Sequence, residues 1–163
     1  MINQRFVKVL KLLDEKLRNQ KIRWCLVGSA SLVLQGVKIK PKDIDILTDK
    51  KGAFKINKLL KDYEINPVKF GNSELFESYL GEFEINGIKI EAMGNLKEKI
   101  DNVWVSASKR LASQKIIKLN EMEIPVSSLR EQIQSYEKLG RKKDCMKIRK
   151  IKEALNNESE QSI

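Results

Sequence analysis

Two aspartates separated by one aliphatic residue are the side chains of this sequence best suited to chemistry. The segment Asp43-Ile44-Asp45-Ile46 alternates acid and aliphatic residues, which is the pattern of a half-buried β-strand. Successive side chains of a strand point to opposite faces, so both carboxylates project from one face. Like charges this close repel each other unless a cation neutralises them, and Mg²⁺ takes one or two carboxylates together with substrate phosphates. The pair therefore predicts half of a metal–triphosphate site.

A Gly-Ser pair that follows an apolar run predicts the other half. Residues 24–27 indicate a strand, Gly28-Ser29 follows it, and residues 30–34 indicate a short apolar helix. A helix N-terminus presents unpaired N–H groups and partial positive charge, which favour phosphate, and glycine lets the phosphate approach closely. Lys42 lies just before the carboxylates and is a further candidate phosphate contact, although a solvated role for it stays open.

These two elements together resemble the signature of the nucleotidyltransferase superfamily, the polymerase-β-like fold. Gly28-Ser29 and Asp43-Ile44-Asp45 match that signature, with 13 residues between Ser29 and Asp43. The resemblance implies an α+β fold, with a mixed β-sheet flanked by helices and a helical C-terminal end. It also implies Mg²⁺ (or Mn²⁺) as cofactor, a nucleoside triphosphate (NTP), such as ATP, as substrate, and Asp43 and Asp45 as catalytic metal ligands.

A hairpin further along the chain carries the candidate third carboxylate. Residues 76–85 and 88–93 predict two strands, because Asn86-Gly87 between them favours a two-residue type I′ turn. Members of the superfamily hold a third carboxylate on the strand beside Asp-x-Asp, and Glu91 matches it in chain order. The resemblance implies that Glu91 is a metal ligand or the general base. Glu84 on the other arm is the competing candidate, and a surface role for Glu91 stays open.

The C-terminal end extends the resemblance to lincosamide-type antibiotic transferases and AbiEii-type toxins. Residues 124–126 predict a strand, and residues 128–131 form a capping box that opens a helix ended by Gly140. An Arg-x-Lys-Asp motif then opens the last helix at residues 141–144. The resemblance implies that three cations of this end bind the nucleotide, namely Lys138, Arg141 and Lys143.

Periodicity predicts the elements that position these residues. An amphipathic helix is predicted over residues 2–19 and a second helix over 54–63, with Asp49 as its N-cap. Residues 65–70 indicate a strand, and residues 95–101 indicate a short polar helical link. We expect a core over 1–126, a helical segment packed on it over 127–156, and a disordered tail over 157–163.

Composition excludes several classes of enzyme. The 163-residue chain contains no histidine, so Ser-His-Asp triads, Cys-His dyads and His-based metal sites are ruled out. Cys25 and Cys145 lack CxxC spacing, and we expect both to be reduced and structural. No apolar run has the length of a membrane span, and the first residues do not resemble a signal peptide, so the sequence predicts a cytoplasmic protein.

A net charge of +10 and a pI near 9.6 indicate attraction to polyanions, although a solvated Lys-rich surface explains them equally well. We expect metal-dependent transfer of a nucleoside monophosphate (NMP) from an NTP to an acceptor hydroxyl, with release of pyrophosphate. The acceptor could be an RNA end, a protein or a small molecule, and the charge favours RNA or another anion. The sequence indicates no oligomeric state.

Two other classes of protein stay open at this stage. The first is a catalytically inactive nucleotidyltransferase-fold module that binds a partner or acts like an antitoxin. The second is a basic RNA- or DNA-binding domain in which Asp-x-Asp has no function. Aspartate is depleted in strands, so two of them between isoleucines disfavour the second class.

Overall fold

The fold is a mixed β-sheet with helices on both faces. The computed structural model describes residues 2–161. The elements are α1 (Gln4–Leu17), β1 (Trp24–Val27), α2 (Gly28–Leu34), β2 (Ile44–Thr48), α3 (Lys50–Leu59), β3 (Glu64–Asn72), β4 (Phe76–Ile85), β5 (Ile88–Ile100), β6 (Val103–Ser106), α4 (Ser108–Ala112), β7 (Lys115–Leu119), β8 (Met122–Val126), α5 (Leu129–Leu139) and α6 (Cys145–Gln161).

The sheet sets β2 between β1 and β5. Its strand order is β3-β4-β5-β2-β1-β8-β7, with β6 paired to β5. β2 runs antiparallel to β1 and parallel to β5. Ile44 and Ile46 of β2 are buried in the main core with residues of α1 and α3, whereas Leu47 belongs to a second cluster with Leu111 of α4. The face that carries Leu47 is therefore also the face of Asp45.

Local signals placed several elements correctly. Asn86 and Gly87 have φ of 50° and 74°, as a type I′ turn requires, and Ile85 pairs with Ile88 across them. Asp49 caps α3, because its side chain accepts a hydrogen bond from the Gly52 N–H. Ser128 caps α5 in the same way through the Glu131 N–H.

The predicted helical link over residues 95–101 is wrong, because β5 continues to Ile100. Exposed Asn95 and Lys97 alternate with buried Leu96 and Glu98, which is the period of a strand. The pairs Tyr79–Gly94 and Glu77–Lys97 leave one extra residue on β5, and Asn95 adopts φ of 52°. This β-bulge reverses the alternation, so Leu96 and Glu98 share a face with residues 91 and 93.

The C-terminal end also differs from the expectation. Helix α6 continues to Gln161, so residues 157–161 are helical, while residues 162–163 of the expected disordered tail lie outside the described part. Glutamate and glutamine are good helix formers, and the Ser159 hydroxyl donates to the Leu155 carbonyl. Within residues 2–161, no helix is long and apolar enough to cross a membrane.

Candidate active site

Three carboxylates predicted as site residues meet at one wall of a cavity. β2 and β5 are parallel and in register, and Asp45 lies directly opposite Glu91. Asp43 stands one residue before β2 on the same face as Asp45. All three line a cavity of about 950 Å³. A cavity of this size accommodates a nucleotide-sized ligand.

The electrostatics of this wall favour a bound cation. Burial, followed by the nearby charges of Glu91 and Asp43, raises the pKa of Asp45 to about 7. Lys89 Nζ lies 2.8 Å from Glu91 Oε1, and this hydrogen bond raises the pKa of Lys89. Glu91 therefore has a lysine partner, whereas the half-buried charge of Asp45 is poorly compensated.

The donor set fits a divalent metal that arrives with phosphates. Among the side chains that the structure describes, no three His, Cys, Asp or Glu residues are placed to hold a metal by themselves. Mg²⁺ is usually held by one or two carboxylates and by substrate phosphates, and Asp43 and Asp45 supply hard oxygen donors of that kind. The placement of Asp45 supports the fit, because it lies opposite Glu91, on the same face as Asp43 and against the Gly28 turn.

The Gly-Ser pair lies against the carboxylates. Gly28 opens α2 with φ of 74°, and a Cβ built on it would stand 2.6 Å from Asp45 Oδ2. Ser29 Oγ accepts a hydrogen bond of 2.9 Å from the Lys42 N–H, so its own hydrogen stays available for a phosphate oxygen. The Gly28 N–H is already used, because it donates to Gln132 Oε1 at 3.0 Å.

Gln132 supports the Gly28 turn without lining the cavity, and sequence reasoning missed it. It is buried in α5, and its amide donates to Ser31 Oγ and to the Ser127 carbonyl. The side chain therefore ties α5 to the turn at Gly28. Helical spacing from Leu129 could have found it, since positions i, i+3 and i+4 share one face and here define the buried one.

The expected cations of the C-terminal end differ in their placement. Arg141 and Lys143 line the cavity, whereas Lys138 is exposed and does not belong to the wall. Arg141 is partly engaged, because its Nε lies 2.7 Å from Asp144 Oδ2. Lys147, which the sequence analysis missed, lines the cavity four residues after Lys143. Burial lowers the pKa of Lys147.

The sheet, the Gly-Ser turn and the carboxylates on neighbouring strands define a nucleotidyltransferase fold. The aminoglycoside-2''-adenylyltransferase family model matches residues 8–151, and the chain belongs to this family of nucleotidyltransferases. This result confirms the predicted fold class, superfamily and enzyme class. No curated protein sequence matches the chain significantly.

Solved structures agree with this assignment. A provisionally assigned nucleotidyltransferase from Thermotoga maritima superposes with a TM-score of 0.82 at 34% identity, over 92% of this chain and 94% of that one. The enzyme ANT(2'')-Ia, solved with adenylyl-2''-tobramycin, superposes with a TM-score of 0.64 at 12% identity, over 96% of this chain and 92% of that one. The lincosamide adenylyltransferase LnuA, solved with lincomycin, superposes with a TM-score of 0.56 at 16% identity, over 93% of this chain and 97% of that one. ANT(2'')-Ia and LnuA therefore share the fold of this chain.

Proposed function

We propose that this protein transfers an NMP from an NTP, ATP by preference, to a hydroxyl of a small molecule and releases pyrophosphate. The observation that supports this most is the pairing of Asp45 with Glu91 across β2 and β5, with Gly28 against the Asp45 carboxylate. The cavity around them has the volume of a small-molecule site.

Six of the residues that line the cavity have a role in this reaction. Asp43 and Asp45 would hold the divalent metal, which when bound neutralises phosphate charge and lowers the pKa of the acceptor hydroxyl. The acceptor oxygen forms a bond to the α-phosphorus as the bond to the bridging oxygen breaks. Glu91 takes the hydroxyl proton, and pyrophosphate leaves. The Ser29 hydroxyl donates to the phosphates, and Lys143 and Lys147 stabilise the charge that develops on pyrophosphate.

The family favours a small-molecule acceptor over an RNA end. ANT(2'')-Ia and LnuA were solved with adenylyl-2''-tobramycin and with lincomycin, respectively, and the chain shares their fold. The carboxylates of the proposed site also line a cavity with helical residues on its wall, among them Tyr136 and Lys147. Such a site suits a small hydroxylated molecule, while the net charge of +10 explains attraction to the triphosphate.

The test has two stages. Thermal-shift titrations with each of the four NTPs, with and without Mg²⁺ or Mn²⁺, should show a metal-dependent rise in melting temperature, because a ligand stabilises the native state by mass action. Pyrophosphate release is then measured with aminoglycosides, lincosamides and bulk tRNA as acceptors. Pyrophosphate release with tRNA and with no other acceptor would show that the acceptor is RNA and not a small molecule. Binding without release on any acceptor would indicate the inactive binding module instead.

Glu91→Gln should lower turnover by about 10²-fold while metal-dependent ATP binding changes little, because the amide cannot accept the proton. The measurement is kcat for pyrophosphate release alongside the Kd of ATP. Lys89→Gln is the matched control, since it removes the 2.8 Å ion pair and leaves the carboxylate in place. If both variants lost the same activity, the ion pair would matter and Glu91 would not be the base.

A further inference from the structure

Lys89 lies between two carboxylates on the wall that carries Glu91. It stands two residues before Glu91 on β5, so both side chains project from the same face of the strand. Lys89 Nζ is 2.8 Å from Glu91 Oε1 and 3.7 Å from Glu82 Oε1. Glu82 lies opposite Glu91 on β4, and its carboxylate also accepts a hydrogen bond from Asn66 Nδ2. A cation of the chain itself therefore balances the two carboxylates.

The other carboxylates of the cavity are engaged as well. Within residues 2–161, four carboxylates line it, namely Asp43, Asp45, Glu91 and Glu98. The two aspartates would hold the metal, and Arg110 Nη2 lies 2.7 Å from Glu98 Oε1. Glu84, on the strand beside Lys89, is exposed and does not line the cavity. In the described part of the chain, no lining carboxylate thus remains to pair with an ammonium group of an acceptor.

Cations outnumber carboxylates on this wall. Among the residues that the structure describes, six cations line the cavity, namely Lys40, Lys42, Arg110, Arg141, Lys143 and Lys147. Lys89, the partner of Glu91, and Asp144, the partner of Arg141, do not line it and cancel in this count. Six cations against four carboxylates leave an excess of two positive charges, which attracts the triphosphate and repels a polycation. A bound divalent metal increases this excess.

Apolar side chains lie next to Glu91 on the same wall. Leu80 and Met93 are opposite each other on β4 and β5, and both line the cavity. An acceptor whose hydroxyl comes within hydrogen-bond distance of Glu91 lies against this part of the wall. Ammonium groups without carboxylate partners would lose their hydration there at a cost in free energy.

We infer that Lys89 determines the class of acceptor. Because it neutralises the carboxylates beside the reacting hydroxyl, the site takes a hydroxyl compound without ammonium groups. The site rejects the polycationic aminoglycosides for which the family is named. The inference rests on the proposed function and names its acceptor class. Lys89 contacts the base and not the reacting atoms, so it acts as a specificity-determining residue.

The first test compares two acceptors that share their hydroxyl groups and differ in charge. Tobramycin and its fully N-acetylated form are such a pair, because acetylation removes every ammonium charge. Wild type loaded with Mg²⁺ and a non-hydrolysable ATP analogue should bind tobramycin no more tightly than the N-acetylated form in isothermal titration. Tighter binding of tobramycin itself would overturn the inference.

The second test releases the two carboxylates. In Lys89→Met, Glu82 and Glu91 lose their cation, so the Kd of tobramycin should fall at least tenfold, because hydrogen bonds to charged groups contribute about that much. The Kd of the N-acetylated form should change less than twofold. Lys97→Met is the matched control, since Lys97 pairs with Glu77 at 3.6 Å and does not line the cavity. Both lysines are about half exposed, so neither change should unfold the protein.

The outcomes separate the inference from the proposed function. An unchanged Kd of tobramycin in Lys89→Met, or an equal fall in Lys97→Met, would refute the role of Lys89. If ATP still bound with Mg²⁺ in that case, only the acceptor class would be wrong. If neither wild type nor Lys97→Met bound ATP with Mg²⁺, the proposed function itself would fail.

Discussion

Asp45→Asn should lower nucleotidyl transfer by about 10³-fold or more, which corresponds to roughly 4 kcal/mol of lost transition-state stabilisation. The carboxylate faces Glu91 and touches the Gly28 turn, so it occupies the centre of the proposed metal–triphosphate site. Asparagine keeps the shape of the side chain but is a far weaker ligand for a hard cation. The metal-dependent thermal shift with ATP should disappear in the same variant.

Asp49→Asn is the matched control for this prediction. Asp49 caps α3 and does not line the cavity, and asparagine is an equally good N-cap. Activity and stability should both stay close to wild type. If Asp45→Asn retained transfer activity within tenfold of this control, the carboxylate would not be a metal ligand.

Asp45→Asn should also make the metal-free protein more stable at neutral pH. The folded pKa of Asp45 is about 7 against an ordinary value of 3.8, so the folded state binds the proton more tightly than the unfolded state. Stability is then lost as pH rises from about 4 to 7, up to roughly 4 kcal/mol. Asparagine does not titrate, so the variant should match wild type near pH 4 and exceed it at pH 8.

Urea unfolding in EDTA at pH 4.5, 6 and 8 measures this difference. Mg²⁺ with ATP should then stabilise wild type at pH 8 and leave the variant unchanged. A variant that is less stable than wild type at pH 8 would assign Asp45 a structural role.

The sequence predicted those parts of the fold and site that depend on local patterns. The alternation at residues 43–46 placed both aspartates on one face, and Asn86-Gly87 set the hairpin that carries Glu91. Resemblance to the superfamily then indicated which strand lies next to β2. These signals succeed because strand period and turn chemistry are properties of a few neighbouring residues.

The remainder depended on contacts between distant parts of the chain. The bulge at Asn95 is defined by the pairing of β4 with β5, which the local sequence does not reveal. This bulge places Glu98 on the face of β5 that lines the cavity. Gln132 lies over 100 residues after Gly28, to which it is hydrogen-bonded. Lys147 resembled any other lysine of a basic helix, because its burial depends on how α6 packs. Tertiary packing, rather than local propensity, selected these residues.

Gly28→Ala should lower both stability and activity, because two costs coincide at this position. A φ of 74° disfavours any side chain by about 1–2 kcal/mol. The new Cβ would also stand 2.6 Å from Asp45 Oδ2, so the carboxylate or the turn must move. We expect the free energy of unfolding to fall by about 2–3 kcal/mol and transfer to fall at least 10²-fold, since displacing a ligand by about 1 Å has an effect of that size.

Gly36→Ala separates the two costs. Gly36 has a similar φ of 87°, but a Cβ there would have no atom within 4 Å. This variant should lose about 1–2 kcal/mol of stability and keep its activity. In an Asp45→Ala background, where the contacting carboxylate is absent, Gly28→Ala should cost no more stability than Gly36→Ala. The contrary outcome is that Gly28→Ala lowers the free energy of unfolding equally in the wild-type and Asp45→Ala backgrounds. Contact with the Asp45 carboxylate would then not be the reason that position 28 requires glycine.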